Sequence, residues 1–233
     1  MTPAIRDEQH EVPIWDLPTR LFHWSLVALV GCNLFLVSPR GGLHTLVHFL
    51  SGFAVAGLLL FRLLWGFIGS PRSRFADFLL PWRSVRAYAA RLIRLAPPPS
   101  IGHNPLGGWM IGALLVTLTA MIGTGMFSAG RRATGPFAHL LPASLAERMG
   151  HIHWLISNLL IGLLAVHVAG VLADWVLTRN NLIKAMITGR KILGKEAAAN
   201  EPALAPLSRA VVVALLSLIL IAVLISITNF GAP

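Results

Sequence analysis

The residues of this chain with the most chemistry in them are histidines set in apolar surroundings. His23, His48, His153 and His167 each fall inside a run of apolar residues. An ionisable side chain at membrane depth is costly and marks a functional site by default. One such histidine is equally well explained as a neutral imidazole bonded to a backbone carbonyl. Four of them need a common explanation. His153 and His167 are 14 residues apart. On a helix that places them about 40° apart on one face and about 21 Å apart along the axis. His151 falls about 160° from His167 and is the poorer partner.

Depth sorts the four into pairs. At about 1.5 Å per residue, His153 lies about 3 Å below one surface and His167 about 24 Å down, in a hydrocarbon core about 30 Å thick. His23, three residues past Arg20, lies about 5 Å from the surface that His167 approaches. His48, four past His44, lies about 6 Å from the surface that His153 approaches. The expected pairs are His23 with His167 and His48 with His153. Two pairs at two depths suit two bis-histidine haems stacked across a bilayer. Each six-coordinate iron takes one axial nitrogen on each face, and helices of a bundle supply them inward. With both axial positions filled the iron has no site for oxygen or substrate, which favours electron relay over chemistry at the metal.

Other residues fit this arrangement without proving it. Gly52 sits one turn past His48, Gly162 lies between the two histidines of the fourth run, and Gly123 and Gly125 lie in the third. They could relieve crowding around a macrocycle, although each singly fits ordinary small-residue packing. Arg20 and Arg62, at run ends, suit haem propionates, and topology signalling accounts for them equally well. The same histidines admit other readings. His44, His48, His151 and His153 could form a metal site at one surface, with His44 and His48 at metal-ligand spacing. That leaves His23 and His167 unexplained. A histidine proton relay in a transporter is a further alternative. Against it, the runs are nearly free of acidic residues, Asp174 apart, and show no interrupted helices in matching halves.

The elements that must position these residues are membrane helices. Of 233 residues, 55% are hydrophobic and 12% charged, with a mean hydropathy of +0.72. Soluble domains carry about 25% charged residues, so a soluble enzyme, a disordered chain and a nucleic-acid binder are disfavoured. Five runs approach the roughly 20 residues a span needs: 21–38, 44–67, 106–127, 151–177 and 210–230. Asn104-Pro105 makes a good helix start for the third. The connector 69–105 is expected to hold an amphipathic stretch near Val85 to Leu95, and 179–209 to be polar and partly flexible. No cleavable signal peptide is evident. The single cysteine, Cys32, excludes an intrachain disulfide, and the lack of C-x-x-C-H excludes c-type haem attachment. The N-terminal segment, Arg62 and the connectors 69–105 and 179–209 hold 15 of the 19 basic residues. The charge bias therefore predicts a cytoplasmic N-terminus and a C-terminus on the far side. The seven tryptophans cluster mostly near span ends, as an interfacial belt would.

These pieces together resemble the bacterial cytochrome b561 family, including the b-type cytochrome subunit of membrane-bound nickel–iron hydrogenases. Val-Pro-Ile-Trp-Asp-Leu-Pro-Thr-Arg-Leu-Phe-His-Trp (12–24) resembles its first-span pattern. His48-Phe-Leu-Ser-Gly52 with Phe61-Arg62-Leu-Leu-Trp65-Gly66-Phe67 resembles its second, and Gly102-His103-Asn104-Pro105-Leu106-Gly107 the entry to its third. His153 with His167 matches its fourth. The similarity covers roughly 12–190. It implies an all-α integral membrane protein whose four-helix core binds two non-covalent haem b groups, with axial ligands carried over to His23, His48, His153 and His167. It also implies a multi-pass protein of the bacterial inner membrane. Such a protein moves electrons between ubiquinone or menaquinone and a periplasmic redox protein, a hydrogenase or a c-type cytochrome. The quinone side is expected at the cytoplasmic end.

The chain departs from the pattern at its end. Domain limits of 1–190 for the di-haem core and 191–233 for a linker and fifth helix follow. That helix is almost wholly aliphatic and has no histidine. It is expected to pack outside the bundle, on a partner or on a second copy of the chain. Two rival functions stand beside electron relay. One is a stand-alone quinone-linked oxidoreductase acting on a small species such as superoxide. The other is a non-haem transporter or structural membrane module.

Overall fold

Long apolar stretches without proline become helices here, and the polar segments between them fold into a cap at one end. The computed structural model describes residues 9–35, 43–130 and 133–228. The long helices are α1 (Leu17–Phe35), α2 (Leu43–Ile68), α5 (Pro105–Met126), α6 (Ala143–Thr178) and α9 (Leu207–Ile227). Four of them, α2, α5, α6 and α9, are long and apolar enough to cross a membrane. The first expected run is the least clear-cut span: α1, with Arg20 and His23 in its first half, does not reach that standard over its 19 described residues. The expected end of that run, 36–38, and Arg40 lie outside the described residues. Helix α6 begins eight residues before the expected start at His151, so it extends beyond the apolar run.

Helix α1 packs on α2, α2 on α5, α5 on α6, and α9 against α2. The fifth apolar run therefore packs outside the other helices, with Ile221 against the backbone of Gly57. The shared core includes Phe22, Leu59, Trp65, Leu118, Leu160 and Val213. Helices α6 and α9 otherwise turn large aliphatic side chains outward, among them Leu159, Val166, Leu218 and Ile219. Those faces suit lipid, which is as apolar as the side chains themselves.

The cap is more ordered than its composition suggests. Between α2 and α5 lie a 3-10 turn (Pro71–Ser73), α3 (Phe75–Phe78) and α4 (Trp82–Ile93), the last being the expected amphipathic stretch. The segment 179–209, expected to be partly flexible, instead folds as α7 (Leu182–Thr188), β2 (Arg190–Gly194) and α8 (Lys195–Ala199). Strand β1 (Gln9–Pro13) pairs antiparallel with β2, from Gln9 opposite Gly194 to Pro13 opposite Arg190. The chain reverses between α7 and β2 at Gly189, whose φ of 81° favours glycine. A Cβ there would also stand 2.8 Å from the Trp15 carbonyl.

Asp16 ties this cap to the bundle. It caps α1 by accepting from the Thr19 backbone N–H (2.7 Å). Its other oxygen accepts from Trp65 Nε1 and Ser73 Oγ, both at 3.0 Å. Helix α5 is capped in the expected way, with Asn104 Oδ1 accepting from the Gly107 N–H at 2.7 Å and Pro105 in the first turn. Asn104 and Tyr88 both donate to Asp174, joining α4, α5 and α6. Burial and the Asp174 charge push the Tyr88 phenol up to about 12, so it stays a donor throughout the physiological range.

The tryptophans divide differently from the expected belt. Trp24, Trp82, Trp109, Trp154 and Trp175 are exposed, but Trp15 and Trp65 are core residues. Trp65 is wholly buried because its indole N–H has the Asp16 carboxylate as partner, which removes the usual reason for indole to stay at a wet interface.

Candidate functional site

His48 on α2 and His153 on α6 face each other across a gap in the helix packing. Helix α6 lies along α5 but makes little direct backbone contact with α1 or α2. The two imidazole centroids are 6.2 Å apart, with their planes at 89°. That separation lets both imidazoles reach one group lodged between the helices. A mostly apolar cavity of about 640 Å³ adjoins them, lined among others by Phe53, Met121, Gly125 and Trp154. That lies within the usual range for small-molecule and cofactor sites, about 300–1,000 Å³.

The hydrogen bonds around the two rings decide which nitrogen is free. His48 Nδ1 lies 3.0 Å from Asn33 Oδ1. The Asn33 amide nitrogen is already committed, donating to the Leu29 carbonyl (2.9 Å) and to Ser51 Oγ (2.8 Å). Asn33 therefore presents oxygen to His48, and His48 Nδ1 carries the proton. His153 Nδ1 lies 3.0 Å from the Met121 carbonyl, an obligate acceptor, so it too is protonated. Both rings are left with a basic Nε2. A metal-ligating histidine almost always donates its other N–H to a carbonyl or carboxylate in this way, which fixes ring and tautomer. Gly125 leaves room for the His153 ring, since a Cβ there would stand 2.9 Å from His153 Cε1. Gly52 lines the same cavity, and a Cβ on it would meet nothing within 4 Å.

The Asn33→Leu protein tests this support. It keeps His48 but removes its acceptor, and loss of such an outer partner typically costs about 10–100-fold in metal-site affinity. Haem transfer to excess apomyoglobin should accelerate in the variant. Equal transfer from wild type and variant would show that Asn33 does not support the site.

The second pair lies nearer the cap. His23 on α1 and His167 on α6 are within electrostatic reach of each other, and His23 Nδ1 is buried without a partner. Around them stand cationic and imidazole groups. Arg20 donates to the Ile187 carbonyl, while its Nε is buried without a partner. Arg62 is buried, 3% exposed, with its guanidinium carbon 5.3 and 5.4 Å from the Phe75 and Phe78 ring centroids. His103 fits between the Trp15 and Phe78 rings, at 4.5 and 5.1 Å. Burial, then the positive charges of Arg62 and Lys191, push the His103 imidazole down to about 3, so it is neutral at physiological pH.

The structure thus brings His48 and His153 into ring contact and places His23 and His167 in one neighbourhood. Gly162 has open space around it and is exposed. Among the described residues no group of three or more His, Cys, Asp or Glu side chains gathers to hold a bare metal ion, which removes support from the metal-site alternative at His44, His48, His151 and His153. Sequence reasoning missed Asn33, Met121 and His103. A lone asparagine in an apolar helix, one turn-spacing away from nothing obvious, is a legible signal for the first. The Met121 contribution is a backbone carbonyl and leaves no mark in the side-chain pattern.

A membrane helix bundle with paired, hydrogen-bonded imidazoles bordering an apolar cavity is the architecture of a b-type cytochrome. The chain belongs to the prokaryotic cytochrome b561 family, whose pattern matches residues 14–189. It is 27% identical over 217 residues to a protein of Azotobacter chroococcum mcd 1 named "Probable Ni/Fe-hydrogenase B-type cytochrome subunit", covering 78% of this chain and 89% of the relative. Proteins of the same name from Azotobacter vinelandii and Rhizobium leguminosarum bv. viciae are 27% and 24% identical. They cover 78% and 79% of this chain, and 89% and 90% of those proteins. No solved structure matches the chain. The family match ends before α9, so the fifth apolar run lies outside the matched residues.

Proposed function

We propose that this protein is a di-haem cytochrome b that carries electrons across the bacterial inner membrane between quinone and a periplasmic redox protein. The carrying observation is the His48–His153 pair: centroids 6.2 Å apart, with each Nδ1 held by an acceptor. His48 and His153 hold one haem, and His23 and His167 the other. Haem supplies a one-electron couple at iron, with potential tuned by axial ligands, burial and hydrogen bonds. The chain's own residues set the rest. Asn33 and the Met121 carbonyl orient two of the ligands. Phe53, Met121 and Leu118 keep water from that site, and Gly125 gives the His153 ring its place. His153 and His167, about 21 Å apart along α6, would hold the two groups near opposite surfaces of the membrane.

The names of the relatives support a nickel–iron hydrogenase as the partner at the His48–His153 end. The basic cap supports a cytoplasmic N-terminus, and with five spans the C-terminus lies in the periplasm. Quinone is then expected near His23 and His167.

The test is haem stoichiometry and partner capture. Protein purified from haem-replete cells should carry two low-spin b haems per chain, both reducible by hydrogen when co-purified with a hydrogenase. Colourless protein would overturn the redox reading. Two haems with no hydrogenase in the complex, and with quinone-linked activity by the chain alone, would overturn the choice of partner.

A further inference from the structure

Two buried polar groups at the capped end of the bundle have no protein partner. Arg62 is 3% exposed and its Nη1 has no hydrogen-bond partner. His103 Nδ1 is likewise buried without a partner. The two groups share Phe78, which stacks against the His103 ring at 5.1 Å and lies under the Arg62 guanidinium at 5.4 Å. Asp16 is the carboxylate whose charge reaches Arg62. Its oxygens are already engaged by Thr19, Trp65 and Ser73, and Arg62 Nη1 stays unbonded. Lys191, the other cation whose charge reaches His103, is spent on the Ser100 carbonyl at 3.1 Å.

A buried guanidinium donor left unpaired costs more than an ordinary lost hydrogen bond. Arginine is also the side chain best shaped to take a carboxylate by two parallel N–H bonds. A neutral imidazole can add one further donor. What fits the pair is an acceptor that is anionic, planar and brought in from outside the chain. His103 packs on Trp15, which leads directly into α1 and so toward His23, and the pair therefore lies at the His23 end of the bundle.

We propose that Arg62 and His103 form a carboxylate-receiving pocket for the propionate side chains of the haem held by His23 and His167. The proposal rests on the di-haem reading above. It assigns a binding role to His103, which belongs to neither histidine pair, and it explains why arginine is buried deep in α2. Arg62 donates through Nη1 and His103 through Nδ1, and both are held by the aromatic surfaces of Trp15, Phe75 and Phe78.

The experiment uses the purified holoprotein as Arg62→Gln and His103→Leu variants, read by resonance Raman spectroscopy and redox titration. The propionate bending modes of one haem should shift in both variants, while the other haem's modes and the bis-histidine marker bands stay in place. Loss of the Arg62 charge should also lower one midpoint potential. The expected size is about tenfold in that haem's reduction equilibrium, or 59 mV for a one-electron couple. His103→Gln retains a donor and should restore part of the wild-type Raman signature. Should Arg62→Gln fail to accumulate, Arg62→Lys with His103→Leu gives the same Raman shift with the midpoint potential little changed, since lysine keeps the charge and loses the paired donors. Unchanged propionate modes in all variants, with both haems bound, overturn the pocket. A wild-type protein with fewer than two haems overturns the underlying di-haem reading instead, and the pocket with it.

Discussion

A His48→Ala protein is expected to purify with one haem in place of two. The removed ring is one of a pair whose centroids stand 6.2 Å apart, and alanine cannot reach the gap. His153→Ala should cause the same loss. The double variant should lose no more than either single one, because under the proposed ligation both rings serve one centre and their effects are not additive. His44→Ala should keep both haems. The measurement is the pyridine haemochrome absorbance per chain, which should fall by about half in each affected variant, as two bis-histidine sites require. Retention of both haems by His48→Ala would show that the ring contact is packing alone. This variant should fold, since His48 is only partly buried and the core around Trp65 and Leu59 lies elsewhere on α2.

The second large effect is expected at Asp16. Asp16→Ala leaves the Thr19 N–H, Trp65 Nε1 and Ser73 Oγ without their acceptor. Loss of a helix cap costs about 1 kcal/mol, and each buried donor left unsatisfied about 1–3 kcal/mol. The total is about 3 kcal/mol or more, which for a chain of this size lowers Tm by roughly 6–12 °C. Asp16→Asn should cost less, since an amide oxygen can still cap α1 and Ser73 Oγ can turn to accept from the amide, leaving Trp65 Nε1 alone without its acceptor. Thermal unfolding of the detergent-solubilised proteins, followed by tryptophan fluorescence, measures both. The Trp65 emission should also shift to the red in Asp16→Ala as the cap loosens. A Tm within 2 °C of wild type, an effect of under about 1 kcal/mol, would show that the cap does not depend on this carboxylate.

Both effects trace to residues of very different legibility. The histidines could be read because polarity is rare in apolar runs and because helix geometry converts residue number into depth and angle. That arithmetic selected His48 with His153, and the fold brings their rings together. The same arithmetic places His23 and His167 at one end, where the fold also sets them in one neighbourhood. Asp16 belongs to a stretch recognisable by resemblance, but its work is with Trp65 and Ser73, 49 and 57 residues away. No local pattern announces contacts at that distance. For the same reason Trp65 read as an interfacial residue, when a buried acceptor in fact draws it inside.

The sequence by itself determined the long helices, most of their approximate ends, the cap of α5 and the family. These follow from hydropathy, proline and asparagine placement and residue spacing, all of them local properties of the chain. Only the tertiary structure decided that 179–209 is a folded cap, because a five-residue strand is stable only once β1 arrives to pair with it. It likewise decided that α9 lies against α2, since an aliphatic helix is equally apolar on every side and carries no mark of its neighbour. The free nitrogen of each facing histidine was settled in the same way, by an asparagine oxygen on α1 and a carbonyl of α5. Those acceptors come from other helices, and the arrangement exists only when the helices are packed.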